Sequence, residues 1–254
     1  MKAIRTLLPV VLMACLCIVF SACEKVLEYL DENPTADIKY CNITKFTENS
    51  GPSGSRIATF TYNVWGNPTK ITVTNVGTGN PNRIFKYDSY NRLKEYRGEY
   101  TNGNYEYWYR YDYDPTNNRI VSDTVYIFGA ITPEPTTYFD RRVTHYTYDA
   151  QGRITQTSTV STVFPGPPVV QNYTYDAAGN KVVPGITYDS KVNLHRTNKV
   201  WMFLDRDYSL NNPLTADSYN LHGLPLSITL PAESPLRGFI GFYLNDSDIE
   251  YKCD

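Results

Sequence analysis

One phrase recurs along this chain and limits what it can fold into. Residues 146–154 read YTYDAQGRI and residues 173–181 read YTYDAAGNK, 27 residues apart. Looser copies read FTYNVWGNPTKI from Phe60, FKYDSYNRL from Phe85 and YDYDPTNNRI from Tyr111. A weaker ITYDSKVN starts at Ile186, and SYNLHGLPLSI from Ser218 keeps only the second half. The second aromatics are Tyr62, Tyr87, Tyr113, Tyr148, Tyr175 and Tyr188, at steps of 25, 26, 35, 27 and 13 residues. Spacing of this kind marks a chain that uses one supersecondary unit repeatedly.

The chemistry of one unit is that of a β-hairpin. In aromatic-x-Tyr both rings fall on one face of a strand, because side chains alternate. Asp-x-x-Gly follows. Asp suits the first position of a type I turn, where its carboxylate accepts from an amide two residues on, and Gly tolerates positive φ at the fourth. A type I turn plus one left-handed residue is the three-residue hairpin loop with a bulge. The turn residues are therefore Asn63 and Gly66, Asp88 and Asn91, Asp114 and Asn117, Asp149 and Gly152, and Asp176 and Gly179. Asn serves at either position. Positive φ is expected at Gly66, Asn91, Gly152 and Gly179. Ile71, Leu93, Ile120 or Ile154 then starts the return strand.

The expected fold is all-β: an antiparallel meander of hairpins forming a long, twisted, curled sheet, with a two-sheet sandwich as the alternative. Composition agrees, since 23 tyrosines suit half-buried pleated surfaces. Pro and Gly concentrate in the connections at 76–82, 132–136 and 164–168, and the 35-residue step marks a longer loop at 129–137. Residues 194–208, LHRTNKVWMFLDRDY, break the pattern. They predict a short helix near 198–207 that packs Trp201 and Leu204 on the sheet and stops at Asn211-Asn212-Pro213. A buried strand is the competing reading of the same apolar cluster.

The units resemble YD repeats, the Tyr-Asp-x-x-Gly-Arg phrase of Rhs-type and teneurin-like β-shells. Tyr148 to Arg153 and Tyr175 to Asn180 match best, within a span of roughly residues 57–230. The resemblance implies hairpin repeats and says little about function. About six units are too few for a closed shell of that kind, so a toxin-delivery role is not carried over.

The ends imply an address. Lys2 and Arg5 precede an apolar run from Leu7 to Phe20, whose 14 residues fall short of the ~20 that span a bilayer. The run ends in Phe20-Ser21-Ala22-Cys23, which resembles a bacterial lipobox and implies lipid attachment at Cys23. Together with the repeats, this looks like the cell-envelope lipoproteins of gut Bacteroidetes, implying an outer-membrane anchor on an undetermined face. The expected layout is signal peptide 1–22, tether 23–38 and one β domain 39–254. Of five cysteines, Cys41 and Cys253 remain for the folded part. Export allows a disulfide between them; two unpaired thiols are the alternative.

Little else in the chain suggests chemistry. A net charge of −2 gives no nucleic-acid footprint. His145, His195 and His222 show no metal-ligand spacing, and no phosphate-binding glycine loop or nucleophile motif appears, so no cofactor is expected. The acid pairs Asp112 with Asp114 and Asp205 with Asp207 are better explained as turn and helix-end residues than as a catalytic couple. The expected role is therefore non-catalytic: a structural or partner-binding surface for an envelope protein. Glycan binding is the alternative, and a carbohydrate-active enzyme the more remote one. Candidate ligand contacts are Trp65, Tyr90, Trp108 and Trp201, with function sought where the repeats break.

Overall fold

The phrases at Tyr62, Tyr87, Tyr113 and Tyr148 each turn a corner between two neighbouring strands of one antiparallel sheet. The one at Tyr175 closes only an isolated bridge to Lys181, and the one at Tyr188 forms no hairpin among the described residues. The computed structural model describes residues 25–38, 41–51, 54–231 and 238–253. The expected lipid site Cys23 and domain start Lys39 lie outside them. The first ten strands run as a meander: β1 (Cys41–Gly51), β2 (Gly54–Tyr62), β3 (Pro68–Val73), β4 (Asn82–Tyr87), β5 (Leu93–Glu99), β6 (Asn104–Tyr113), β7 (Ile120–Ala130), β8 (Asp140–Tyr148), β9 (Ile154–Ser161) and β10 (Val169–Asn172). The chain then returns and adds three more strands beyond β1. These are β11 (Ser218–Tyr219), β12 (Pro225–Thr229) and β15 (Asp246–Cys253), giving a 13-stranded order β10 to β1, then β15-β12-β11. A small hairpin of β13 (Gly238–Phe239) and β14 (Phe242–Tyr243) stands apart from this sheet. The sheet is open and curled, and is not half of a sandwich.

The expected turn geometry is present. Gly66, Asn91, Gly152 and Gly179 have φ of 76°, 60°, 88° and 77°. The capping oxygen does more than the sequence suggests. Asp88 Oδ1 accepts from the amides of Tyr90 and Arg92, both at 2.9 Å, and Asn63 and Asp176 repeat this at the same offsets. One carboxylate oxygen thereby satisfies two amides that the turn leaves without strand partners. One expectation is corrected: at the Asp114 turn the left-handed residue is Asn118, φ 57°, and not Asn117. That loop carries one extra residue, so Asn118 donates to the Asp114 carbonyl while Asn117 caps the Arg119 amide. The phrase at Ser218 is also more complete than its sequence suggests. Asn220 Oδ1 accepts from His222 and Leu224, and Gly223 has φ 76°.

The repeated tyrosine ties a hairpin to the one before it. Tyr87, Tyr113 and Tyr148 donate their hydroxyls to the carbonyls of Pro68, Leu93 and Ile120, each the first residue of the preceding return strand. The basic residue after the turn reaches the other way. The Arg92 guanidinium lies 4.4 Å from the Tyr113 ring centroid, and Arg153 lies 4.2 Å from that of Tyr175. Arg92 and Arg153 also pair with their own turn carboxylates, Asp88 and Asp149, at 2.7 and 2.8 Å. Tyr, Asp and Arg thus form a linkage from hairpin to hairpin.

The return path fills the inside of the curl. A 3-10 turn at Leu194–Thr197 leads into helix α2 (Lys199–Asp205), capped by Asn198, whose side chain accepts from the Val200 amide. The expected helix is therefore real, but it ends sooner. Arg206 adopts φ 49° and its amide bonds back to Met202 and Phe203, a left-handed stop well before Asn211-Asn212-Pro213. Trp201 is fully buried, with Leu204 partly buried beside it. The first aromatics of four units meet this helix: Phe60 and Phe85 stand edge-on to Trp201 at 5.9 and 5.6 Å, and Tyr111 and Tyr146 contact Phe203 at 5.4 and 5.2 Å. The β13–β14 hairpin adds Phe239 and Phe242 against Phe46.

Residues 25–38, expected as part of a tether, are folded instead. Residues 25–32 form helix α1, and Leu30 and Ile38 are buried with Cys41, Val192 and Leu224. Val26, Leu27 and Leu30 share one helical face, which gives the segment something to bury. No helix among the described residues is long and apolar enough to cross a membrane.

Cys41 and Cys253 are cross-strand partners on β1 and β15, and they are disulfide-bonded. The bond closes a loop of 212 residues in sequence separation. Replacing both cysteines by Ser should lower unfolding free energy by about 2–4 kcal/mol, through the entropy regained by the unfolded chain. Urea melts of the oxidised parent and the double variant measure this; equal midpoints would count against it.

Candidate functional site

Helix α2 crosses the inner face and leaves a depression on either side, with Phe203 lining both. The larger, about 520 Å³, lies toward the hairpin tips. Its floor is the row Tyr87, Tyr113 and Tyr148, and its rim carries Tyr90, Arg92, Arg119 and Lys199. Burial pushes the three floor hydroxyls well above the ordinary tyrosine range. They stay protonated and committed to backbone carbonyls, so the floor offers the groove ring edges and not free hydroxyls. The rim is where polar recognition is available. Arg92 is placed by Asp88 and by Asn118, whose side-chain oxygen accepts from Nη1 at 2.8 Å.

The structure divides the four expected ligand contacts into two classes. Trp65 and Tyr90 sit on the tips of consecutive hairpins and are 71% and 79% exposed. Loop tips at which the ring follows the capping Asn or Asp turn it outward, since the turn leaves it no inner face. Trp108 and Trp201 are core residues, 1% and 0% exposed, and present no ring to a ligand. Trp108 lies on the opposite sheet face from the tyrosine row, edge-on to Tyr105 at 5.7 Å with the Arg97 guanidinium 4.6 Å from its ring. Trp201 is the centre of the packing around α2.

The groove's basic rim was not singled out in the sequence, although a signal exists. Arg92, Arg119 and Arg153 follow the left-handed turn residue in three successive phrases, so the repeat itself presents guanidiniums along one edge. Lys199 carries no such signal, because it belongs to the returning helix.

Neither acid pair forms a shared site. Asp112 accepts from Ser122 across the strands, and Asp114 from its own turn. Asp205 accepts from His195 Nε2 at 2.7 Å and from the Ile240 amide at 2.6 Å, whereas Asp207 accepts from the Ser209 amide. Among the described residues, the ligand atoms of Cys41, His222 and Cys253 lie within 4.8 Å of one another. The two sulfurs are bonded together, and disulfide sulfurs lack the thiolate character a metal site needs.

Neither a family model nor a curated protein matches the chain. Among solved structures it is similar to the pore form of the Photorhabdus luminescens Tc holotoxin, at 12% identity and a TM-score of 0.25. That match covers 76% of this chain and 12% of the toxin chain, so this chain spans about an eighth of its length. At that score the likeness carries no functional argument.

Proposed function

We propose that the protein is a lipid-anchored, non-catalytic binding protein of the bacterial cell envelope, with the hairpin-tip groove as its recognition surface. The observation that carries the binding surface is the pair of exposed rings, Trp65 and Tyr90, presented on consecutive tips beside a groove rimmed with guanidiniums. Exposed aromatic rings flanked by Arg are the residue types that anchor partners at interfaces. The lipid anchor rests on the Phe20-Ser21-Ala22-Cys23 sequence, and an acyl chain contributes ~0.8 kcal/mol per buried methylene. YD-repeat kinship rests on the phrases themselves, and a Bacteroidetes-type envelope address on their combination with the lipobox-like sequence.

The bound partner is an envelope protein on this reading. A glycan is the alternative, favoured by the same rings, since aromatic faces stack on sugars. The soluble fragment from residue 25 onward, tested on a glycan array and by crosslinking to envelope proteins, distinguishes the two. Trp65→Ala and Tyr90→Ala should each change stability by less than about 0.5 kcal/mol, as exposed substitutions do. Each should weaken binding to the array hit or crosslinked protein at least tenfold. Detergent partitioning of the full chain against Cys23→Ala tests the anchor. Binding unchanged in both aromatic variants would remove the groove from the account.

A further inference from the structure

The second depression, on the other side of α2, has a different chemistry. It measures about 260 Å³ and shares only Phe203 with the tip groove. Its walls include Tyr107, Tyr109 and Tyr111 from β6, with Arg83 from β4 and Arg206 from the end of α2. The three tyrosines follow from strand alternation, which sets residues 107, 109 and 111 on the same face. Their rings run in a row, Tyr107 to Tyr109 at 5.8 Å and Tyr109 to Tyr111 at 6.3 Å.

Arg83 is the anomaly. It is 3% exposed, and neither its Nε nor its Nη1 has a hydrogen-bond partner. It makes no ion pair among the described residues. Its charge is favoured by the Phe242 ring, 4.3 Å from its guanidinium, by the Tyr96 and Tyr107 hydroxyls, and from further off by the Asp205 carboxylate. A buried guanidinium with two unfilled donors and no carboxylate in direct contact is a cost that a folded chain rarely carries without use. Gly241, at φ 84°, lines the same cleft and lies against the guanidinium: a Cβ there would sit 3.0 Å from Arg83 Nη2.

The carboxylates nearby are already engaged. Asp205 holds His195 and the Ile240 amide, and Glu106 accepts from the Gly79 amide and the Tyr100 hydroxyl, both at 2.7 Å. At the far end, Arg206 donates to the Leu204 carbonyl at 2.7 Å and to the Tyr146 hydroxyl at 3.4 Å, and it too makes no ion pair among the described residues. Tyr146 in turn donates to the buried Asp123, whose carboxyl burial pushes up to about 6.

We propose that this cleft binds an acidic sugar unit, its carboxylate supplying the counter-charge to Arg83 and its ring lying along the Tyr107–Tyr111 row. Arg206 closes the far end as a hydrogen-bond donor to the ring's hydroxyls. The class follows from three requirements met together: an oxyanion for an unpaired guanidinium, a flat apolar face for the rings, and a ligand small enough for the cavity. This assignment uses residues outside the tip groove and stands or falls separately from it.

The test is calorimetric titration of the fragment from residue 25 onward with D-glucuronate, D-glucose and sodium sulfate. Glucuronate should bind at least tenfold more tightly than glucose and weaken as NaCl is raised. Arg83→Met should remove that preference while leaving the melting temperature unchanged or higher, because it deletes an unpaired buried charge. If Arg83→Met does not fold, Arg206→Gln decides, with an expected three- to tenfold loss for glucuronate. Equal binding of glucuronate and glucose overturns the proposal, as does no binding of either. Sulfate competing as well as glucuronate means an adventitious ion only and also overturns it. Unaltered glucuronate binding in folded Arg83→Met and Arg206→Gln does the same.

Discussion

Trp201→Ala should lower the unfolding free energy by about 3–5 kcal/mol, the range for truncating a fully buried Trp. Trp201 is 0% exposed and is the point at which the return segment meets the sheet. Phe60 from β2, Phe85 from β4 and Phe239 from β13 surround it at centroid distances of 5.6–5.9 Å. These rings come from three separate elements, and none can move into the vacated volume without leaving its own strand. The cavity therefore stays open. Such a loss is a large share of the 5–15 kcal/mol that keeps a typical domain folded. Trp201→Phe should cost less than half as much. It retains a ring and removes an indole N–H that has no hydrogen-bond partner. Equilibrium urea unfolding of the three proteins measures this. A loss under about 1 kcal/mol for the alanine variant would mean that α2 rests on the sheet without supporting it.

Arg196→Met should be comparably damaging, by about 3–5 kcal/mol, although it removes no exposed contact. Arg196 is 1% exposed and donates to four backbone carbonyls. Nε reaches Ser209 at 3.1 Å, Nη2 reaches Tyr208 at 2.5 Å, and Nη1 is shared between Pro34 at 2.7 Å and Ala36 at 3.1 Å. One side chain thus fastens the segment after α1 to the chain leaving α2. Burial lowers its pKa to about 10, which still leaves it charged at neutral pH. Methionine keeps an unbranched apolar stem but stops short of the guanidinium and leaves the four carbonyls with no donor, each a cost of roughly 1–3 kcal/mol before relaxation. Hydrogen exchange supplies a second readout. Amides in 25–38 should exchange much faster in the variant while those of β6 and β7 stay protected. Unchanged protection in 25–38 would show that α1 docks without Arg196.

The turns were legible in the sequence because they are local. Type I geometry depends on Asp or Asn at one position and a left-handed residue three later, and both are visible in the phrases. For Cys41 and Cys253 the sequence named the pair and left bonded and unpaired thiols both open; the register that sets them opposite each other on β1 and β15 decides it. What failed is non-local. Asn118 displaced Asn117 because loop length, set by strand register, decides which Asn becomes left-handed. Helix α2 stops at Arg206, a residue with no stop signal of its own, because the chain must turn into the Tyr208 and Ser209 contacts. Trp201 packs on the sheet as its place in the helix implied, but neither it nor Trp108 offers a ring to a ligand, because whether a ring is covered depends on what lies across the sheet. The tip groove was half-visible: Tyr90 on its rim is in the repeats, with Trp65 exposed on the neighbouring tip, but its other wall is the returning helix, more than a hundred residues away in sequence.

The central claim is that the repeated aspartate is a backbone cap and not a catalytic acid. Equilibrium unfolding of Asp149→Asn and Asp149→Ala tests it most directly. Asp149 Oδ1 accepts from the Arg153 amide at 2.8 Å, a bond that an asparagine oxygen can also accept, as Asn63 does for Asn67. Asp149→Asn should therefore stay within about 1 kcal/mol of the parent, losing only the part-exposed pair with Arg153. Asp149→Ala should lose about 1–2 kcal/mol more, the cost of removing a backbone cap. If the asparagine variant is as unstable as the alanine variant, the negative charge matters and the cap does not, and the architectural reading of the repeat is wrong.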